Sequence, residues 1–181
     1  MSATPTGEPV TGGQGLTHVD EHGKAHMVDV TGKPATLRIA EARCRVRTVA
    51  DVDRLLSRTP EDPDLLASAR FAGIMAAKQT SVLIPLCHPI RLDGIDVGVR
   101  PLSDGFAVVA VAAITDKTGV EMEALTACTT AALVLVHALW TVDPSASVDD
   151  LTLWHKSGGR SGTWERGPDG SPPPGPHSSH R

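Results

Sequence analysis

Two short segments concentrate the side chains able to do chemistry: residues 83–89, LIPLCHP, and residues 117–125, KTGVEMEAL. Their residue types suit work on a polyanionic small molecule. In the first, Pro85 and Pro89 bracket Leu86, Cys87 and His88, fixing φ at two points and barring a regular helix. Histidine titrates near neutrality, so a rigidly held His88 suits proton transfer or phosphate binding. On pattern alone, a structural histidine that ties down a loop weighs slightly more. Cys87 reads as a small buried residue rather than a nucleophile, because no local base accompanies it.

In the second segment Lys117 and Gly119 precede a helix start, and Glu121 and Glu123 fall in its first turn. The helix dipole stabilises carboxylates there, so ordinary helix-start chemistry explains both acids. The sharper alternative is that they orient a guanine-like base and exchange protons with it. A third segment, residues 156–162 (KSGGRSG), offers backbone N–H groups and two cations that suit phosphate. It lacks the P-loop spacing, and a solvated loop is an equally good account. Lys78 closes a helical stretch, where a cation also suits the C-terminal dipole. His18, His22 and His26 are spaced four apart, but no thiol or acidic ligands stand at zinc spacing around them, so no metal site is expected.

Composition bounds the partners. Of 181 residues, 40% are hydrophobic and 21% charged, with net charge −4, which is ordinary for one globular domain. Only 3% are aromatic and none is Tyr, so nucleic acid is an unpromising partner. Three cysteines (44, 87 and 128) form no CxxC pair and argue against a disulfide framework, which suggests the reducing cytoplasm. No signal peptide is visible, and the nearly uncharged stretch 124–142 reads as a buried helix rather than a membrane span.

The elements that must position these segments follow from periodicity. Residues 1–15 read as a disordered arm and 167–181 as a disordered tail, leaving one domain over 16–166. Residues 26–30 suggest a strand start. Residues 36–48 alternate, with a phase change that predicts a bulge near Ala40 and Glu41. A short helix is expected at 51–57, and a longer one at 64–80 with Asp64 as N-cap and Gly73 allowing close packing. A hairpin is expected over 94–102 and 105–114, its second strand central because it is apolar on both faces. A long helix at 120–142 and a last strand at 151–155 complete the order. The plan is α+β: a ferredoxin-like β-α-β-β-α-β antiparallel sheet with its helices on one face.

Taken together, the motifs resemble one family. The segments HMVDV, SARFAGIMAAKQT, LIPLCHP, TDKTGVEMEALTA and KSGGRSG occur in the order found in cyclic pyranopterin monophosphate synthases of molybdenum cofactor biosynthesis, across roughly residues 16–164. The resemblance implies a cofactor-free lyase that converts a 3′,8-cyclised dihydroguanosine triphosphate to cyclic pyranopterin monophosphate with release of pyrophosphate. It implies substrate contacts from Leu86, Cys87, His88, Met122 and Glu123, with Lys117 and Lys156 nearby. It also implies a catalytic set of Lys78, His88, Glu121, Glu123 and the residue at position 137, in a homo-oligomer built as a hexamer of dimers.

This sequence departs from the family pattern at several points. His137 stands where the family carries a catalytic Asp, and Trp140 and Asp62 stand where it carries lysines. The alternative these departures leave open is a catalytically silent or substrate-shifted paralogue, which binds a purine nucleotide or pairs with an active homologue. Geometry adds an expectation. Residues 123 and 137 on one continuous helix lie ~21 Å apart, so one small site can use both only at a subunit interface.

Overall fold

The computed structural model describes residues 18–20, 22–57 and 64–167. The arm over 1–15, Asp62, and all but the first residue of the 167–181 tail lie outside them. Strand β1 (Thr36–Arg47) opens the fold. Helices α1 (Val52–Leu56), α2 (Leu65–Ala77) and α3 (Thr80–Leu83) follow. A hairpin of β2 (Gly94–Leu102) and β3 (Gly105–Asp116) leads into the long helix α4 (Glu121–Leu139). Strand β4 (Ser147–Ser157) and the two-residue β5 (Trp164–Glu165) complete the chain. The sheet order is β2-β3-β1-β4-β5 with every pair antiparallel. Its first four strands are the expected ferredoxin-like arrangement; β5 is an edge addition too short for a sequence signal.

One face of the sheet is covered and the other is open. Ala40, Ala42, Cys44 and Val46 of β1 point into the core with Val108, Ala110, Ala112 and Ile114 of β3. Against them pack Ala69 and Ala77 of α2, and Ala124, Ala127, Cys128, Ala131 and Leu135 of α4. Small side chains at these positions let the helices approach closely. Gly73 is the tightest point, since a Cβ there would stand 2.8 Å from the Ala127 carbonyl oxygen. Asp64 caps α2 as expected, its carboxylate accepting from the N–H groups of Leu66 and Ala67. By length and apolar composition α4 would span a membrane, but its buried side chains fill this core.

Two sequence expectations are corrected. Residues 26–30 form no strand, and the nearest pairing is a lone bridge between Val19 and Ala25. Strand β1 carries no bulge against β3, because the register runs unbroken from Thr36↔Asp116 to Arg47↔Gly105. The phase change arises because Leu37 and Ile39 point to the open face while Ala42, Cys44 and Val46 point to the core. The irregularity lies opposite, in β4. Glu41↔His155 is followed by Ala42↔Leu153, and Arg43↔Thr152 by Arg45↔Asp149, so β4 holds the extra residues. Asp150, at φ 56, marks the second of these bulges. Strand β3 is interior as expected, paired with β2 on one side and β1 on the other, although Ala107, Val109 and Val111 are only half-buried on the open face.

Candidate active site

Helix α3 and the turn after it place the first motif. Thr80 is buried and its hydroxyl donates to the Ala77 carbonyl at 2.9 Å, closing α2 against α3. The Ile84 N–H then bonds the Thr80 carbonyl, and the Cys87 N–H bonds the Ile84 carbonyl at 3.0 Å. The chain therefore turns sharply between its two prolines, as their fixed φ requires. His88 is held by the extended segment: its Nε2 lies 3.0 Å from the Val28 carbonyl. A carbonyl only accepts, so Nε2 carries the proton and Nδ1 is the lone-pair nitrogen of the neutral ring.

The first turn of α4 places the second motif. No side chain caps this helix start, and Glu121, Met122 and Glu123 project from it towards the His88 turn. Glu121 accepts from the Lys156 ammonium at 3.1 Å, which ties α4 to the end of β4. Glu123 is only 4% exposed. Burial pushes its carboxyl up to about 7, the nearby Glu121 charge adds to the rise, and its own backbone N–H opposes it. Two acids of one helical turn thus have different surroundings: one is ion-paired, the other exchanges its proton near neutrality. That division suits acid–base work. The Cys87 thiol is raised by burial and by the Glu123 charge, which keeps it protonated and a poor nucleophile.

These residues meet in one cavity of about 370 Å³, lined by Leu86, Cys87, His88, Glu121, Met122, Glu123 and Lys156. Three expected site residues are not brought there. Lys117 points away, its ammonium donating to the Thr31 carbonyl at 2.9 Å. Lys78 caps the far end of α2 and is exposed. His137 is exposed in the last turn of α4, and Trp140 just beyond it is 60% exposed. Sequence reasoning missed Val28 and Lys33 on the cavity wall, whereas Ser161, also there, belongs to the KSGGRSG segment it singled out. Val28 holds His88 through a main-chain carbonyl, which leaves no trace in side-chain type. His18, expected to hold no metal, also borders this cavity, with its Nδ1 3.3 Å from the His26 carbonyl.

A larger cavity of about 880 Å³ lies on the open face of the sheet. Three of its four arginines are already engaged: Arg43 bonds Glu41 and stacks 4.1 Å over Trp154, Arg45 reaches Asp104 at 3.0 Å, and Arg166 donates to the Leu153 carbonyl at 2.9 Å. Size alone does not make it the site.

Comparison with known proteins decides the family. Residues 27–159 match the model of the MoaC family, a span that holds both motifs and their cavity. This chain belongs to that family. It is 52% identical over 153 residues to cyclic pyranopterin monophosphate synthase 2 of Mycobacterium tuberculosis (strain ATCC 25618 / H37Rv), covering 83% of this chain and 91% of the relative. The cyclic pyranopterin monophosphate synthase of Nocardioides sp. (strain ATCC BAA-499 / JS614) is 50% identical over 156 residues, 83% of this chain and 95% of its own. That of Streptomyces coelicolor (strain ATCC BAA-471 / A3(2) / M145) is 47% identical over 153 residues, 83% and 89%. Membership of the MoaC family accounts for the order of the motifs; the cavity accounts for why they are the parts with chemistry in them.

Proposed function

We propose that the chain is a cyclic pyranopterin monophosphate synthase of molybdenum cofactor biosynthesis, a nucleotide-binding lyase. It converts a 3′,8-cyclised dihydroguanosine triphosphate to cyclic pyranopterin monophosphate and pyrophosphate. The observation that carries this reading is the convergence of the two family motifs on one cavity, around a buried Glu123 that titrates near neutrality. Rearranging a cyclised purine to a pterin needs a group that both gives and takes protons at working pH. Glu123 has that property, and His88 presents Nδ1 as an acceptor close by. Met122 and Leu86 supply apolar walls for the ring system, and Glu121 with Lys156 fixes the polar edge. Free thiols at Cys44, Cys87 and Cys128 suit a cytoplasmic setting.

The reading includes assembly. Lys78 and His137 act in the pocket of a neighbouring copy rather than their own. Support comes from the outer face of the helical layer, where Phe71, Met75 and Lys78 line one side of α2, and Leu133, His137 and Trp140 line one side of α4. Phe71 is 69% exposed, Met75 55% and Leu133 54%, an apolar surface unusual for a solitary chain. A second copy laid on this face buries it and supplies both missing groups. The family's hexameric state is the expected assembly.

The test supplies purified protein with the cyclised triphosphate and follows pyrophosphate and an oxidisable pterin product. Formation of both in equal amounts supports the reading. Tight binding of the substrate without either product would overturn it.

A further inference from the structure

The three cysteines divide two and one. Cys87 stands on the turn between Pro85 and Pro89. Cys44 of β1 and Cys128 of α4 meet in the core, 84 residues apart in sequence and 3.3 Å apart from sulfur to sulfur. Small residues bring them together. Ala42 precedes Cys44 on the core face of β1, and Ala124 and Ala131 lie one turn either side of Cys128 on α4. With little more than methyl groups between helix and sheet at this level, two short thiol side chains come into contact.

The contact is oriented as well as close. The Cys128 thiol donates to the Cys44 sulfur, and the Val108 carbonyl at 3.7 Å is its second acceptor. The Cys44 thiol faces the Cys128 carbonyl at 3.8 Å. The hydrogen bond from Cys128 favours negative charge on Cys44 and holds its thiol below the ordinary value, against the effect of burial. Cys128 is raised, because ionising would forfeit that hydrogen bond and leave a charge in the core. The pair is therefore unequal: Cys44 is the sulfur that ionises and Cys128 the one that keeps its proton. A buried cysteine on its own is an inert small hydrophobe. Two facing sulfurs differ, since a disulfide at ~2.05 Å asks them to close by only ~1.3 Å.

We infer that Cys44 and Cys128 are a redox pair that hydrogen peroxide closes to a disulfide, clamping α4 to β1. The Cys44 thiolate attacks one peroxide oxygen and the O–O bond breaks. The other oxygen leaves with the proton that Cys44 released, as water, and Cys44 becomes a sulfenic acid. The Cys128 sulfur then attacks the Cys44 sulfur: the S–S bond forms, the S–O bond breaks, and the Cys128 proton leaves with the hydroxyl as a second water. The two sulfurs lose the two electrons that peroxide gains. Cys44 is 3% exposed and Cys128 0%, so a small oxidant suits them and bulky thiol reagents do not. Closing so long a loop removes entropy from the unfolded chain, and the clamp stabilises the fold. The clamped helix is the one that carries Glu123 at its first turn. The inference is independent of the proposed reaction.

The experiment treats the full-length protein with hydrogen peroxide, removes the oxidant, unfolds the chain and maps free thiols with N-ethylmaleimide. Untreated protein should take label at all three cysteines. Treated protein should take none at residues 44 and 128, and digestion should release one peptide pair joined between them. Its Tm should rise by roughly 10 °C and fall back on reduction. Cys128→Ala removes the second sulfur, so oxidation should stop at a Cys44 sulfenic acid, trapped with dimedone, with no rise in Tm. If that variant does not fold, the peptide map of the wild type decides alone. Label retained at both core cysteines after treatment would overturn the inference. So would a bond from either of them to Cys87 or to a second chain, or a rise in Tm that persists in Cys128→Ala.

Discussion

The two ends of α4 differ in what surrounds them. At the first turn, Glu121 is tied to Lys156 and Glu123 is 4% exposed beside the His88 turn. At the last turn, His137 stands in solvent and Trp140 is 60% exposed, although the neighbouring Leu135 and Leu139 are fully buried. One end is organised by contacts within a single chain, and the other carries His137 and Trp140 on a face that no described residue covers. The first end therefore supports binding and proton transfer alone. On the proposed assembly, the second contributes through a partner copy.

The largest effect that would break this comparison lies at Glu123. Glu123→Gln keeps the shape but removes the proton, and turnover should fall by ~10²–10⁴-fold, the usual weight of a general acid–base group. An activity loss under threefold in a steady-state assay would remove Glu123 from the mechanism. The same variant tests the buried carboxyl directly. Between its ordinary value of 4.5 and about 7, the folded chain holds a proton at Glu123 that the unfolded chain has released. Stability contributed by this group is thus complete below the lower value and lost as pH rises through the upper one. Glu123→Gln should remove that loss, gaining on the order of 2–3 kcal/mol relative to wild type on going from pH 5 to pH 8, as read by urea unfolding at the two pH values. A pH-independent difference would show that the carboxyl is not desolvated.

Complementation sharpens the contrast between the two ends. If each site takes Glu123 from one copy and His137 from another, inactive Glu123→Gln and His137→Ala chains should rescue each other when mixed. Random pairing leaves about a quarter of the sites with both native residues, as an isologous dimer requires. Failure of refolded mixtures to exceed the activity of either variant alone would place the two residues in separate functions. A smaller effect concerns the scaffold. Gly73→Val forces a side chain against the Ala127 carbonyl and should cost ~1–3 kcal/mol, measured by denaturant unfolding, and it should lower activity only through folding.

Much of this organisation is legible in the sequence because it rests on local rules. The prolines of LIPLCHP, the Asp64 cap, the glycine in α2 and the apolar length of α4 each announce an element through residue type and spacing. The reading fails where structure depends on unpatterned main chain. Residues 26–30 look like a strand, yet this stretch and the adjoining Thr31 offer the Val28 and Thr31 carbonyls to His88 and Lys117, which any residue type can do. The pattern of β1 suggests a bulge that lies in β4 instead, because a change of phase looks the same whether a residue is added or both faces are apolar. Lys78 and His137 belong to a different limit: no pattern within one chain shows which copy a surface residue serves.

The smallest effect tests how far the organised end is organised. Lys156 and Glu121 keep 29% and 32% of their side chains exposed, so breaking their pair by Lys156→Met should change stability by under ~1 kcal/mol. Its consequence for chemistry should be larger than that. The Glu121 charge already raises the Glu123 carboxyl, and Lys156 is the cation that offsets this charge. Without it, the Glu121 field bears on Glu123 unopposed, so the proton is held more tightly and the basic limb of kcat/KM should move to higher pH. Lys156→Arg restores the cation and should return the profile to its original position. If Lys156→Met lowers activity equally at every pH, the lysine acts on substrate alone. The two acids of α4 would then be independent neighbours rather than a coupled pair.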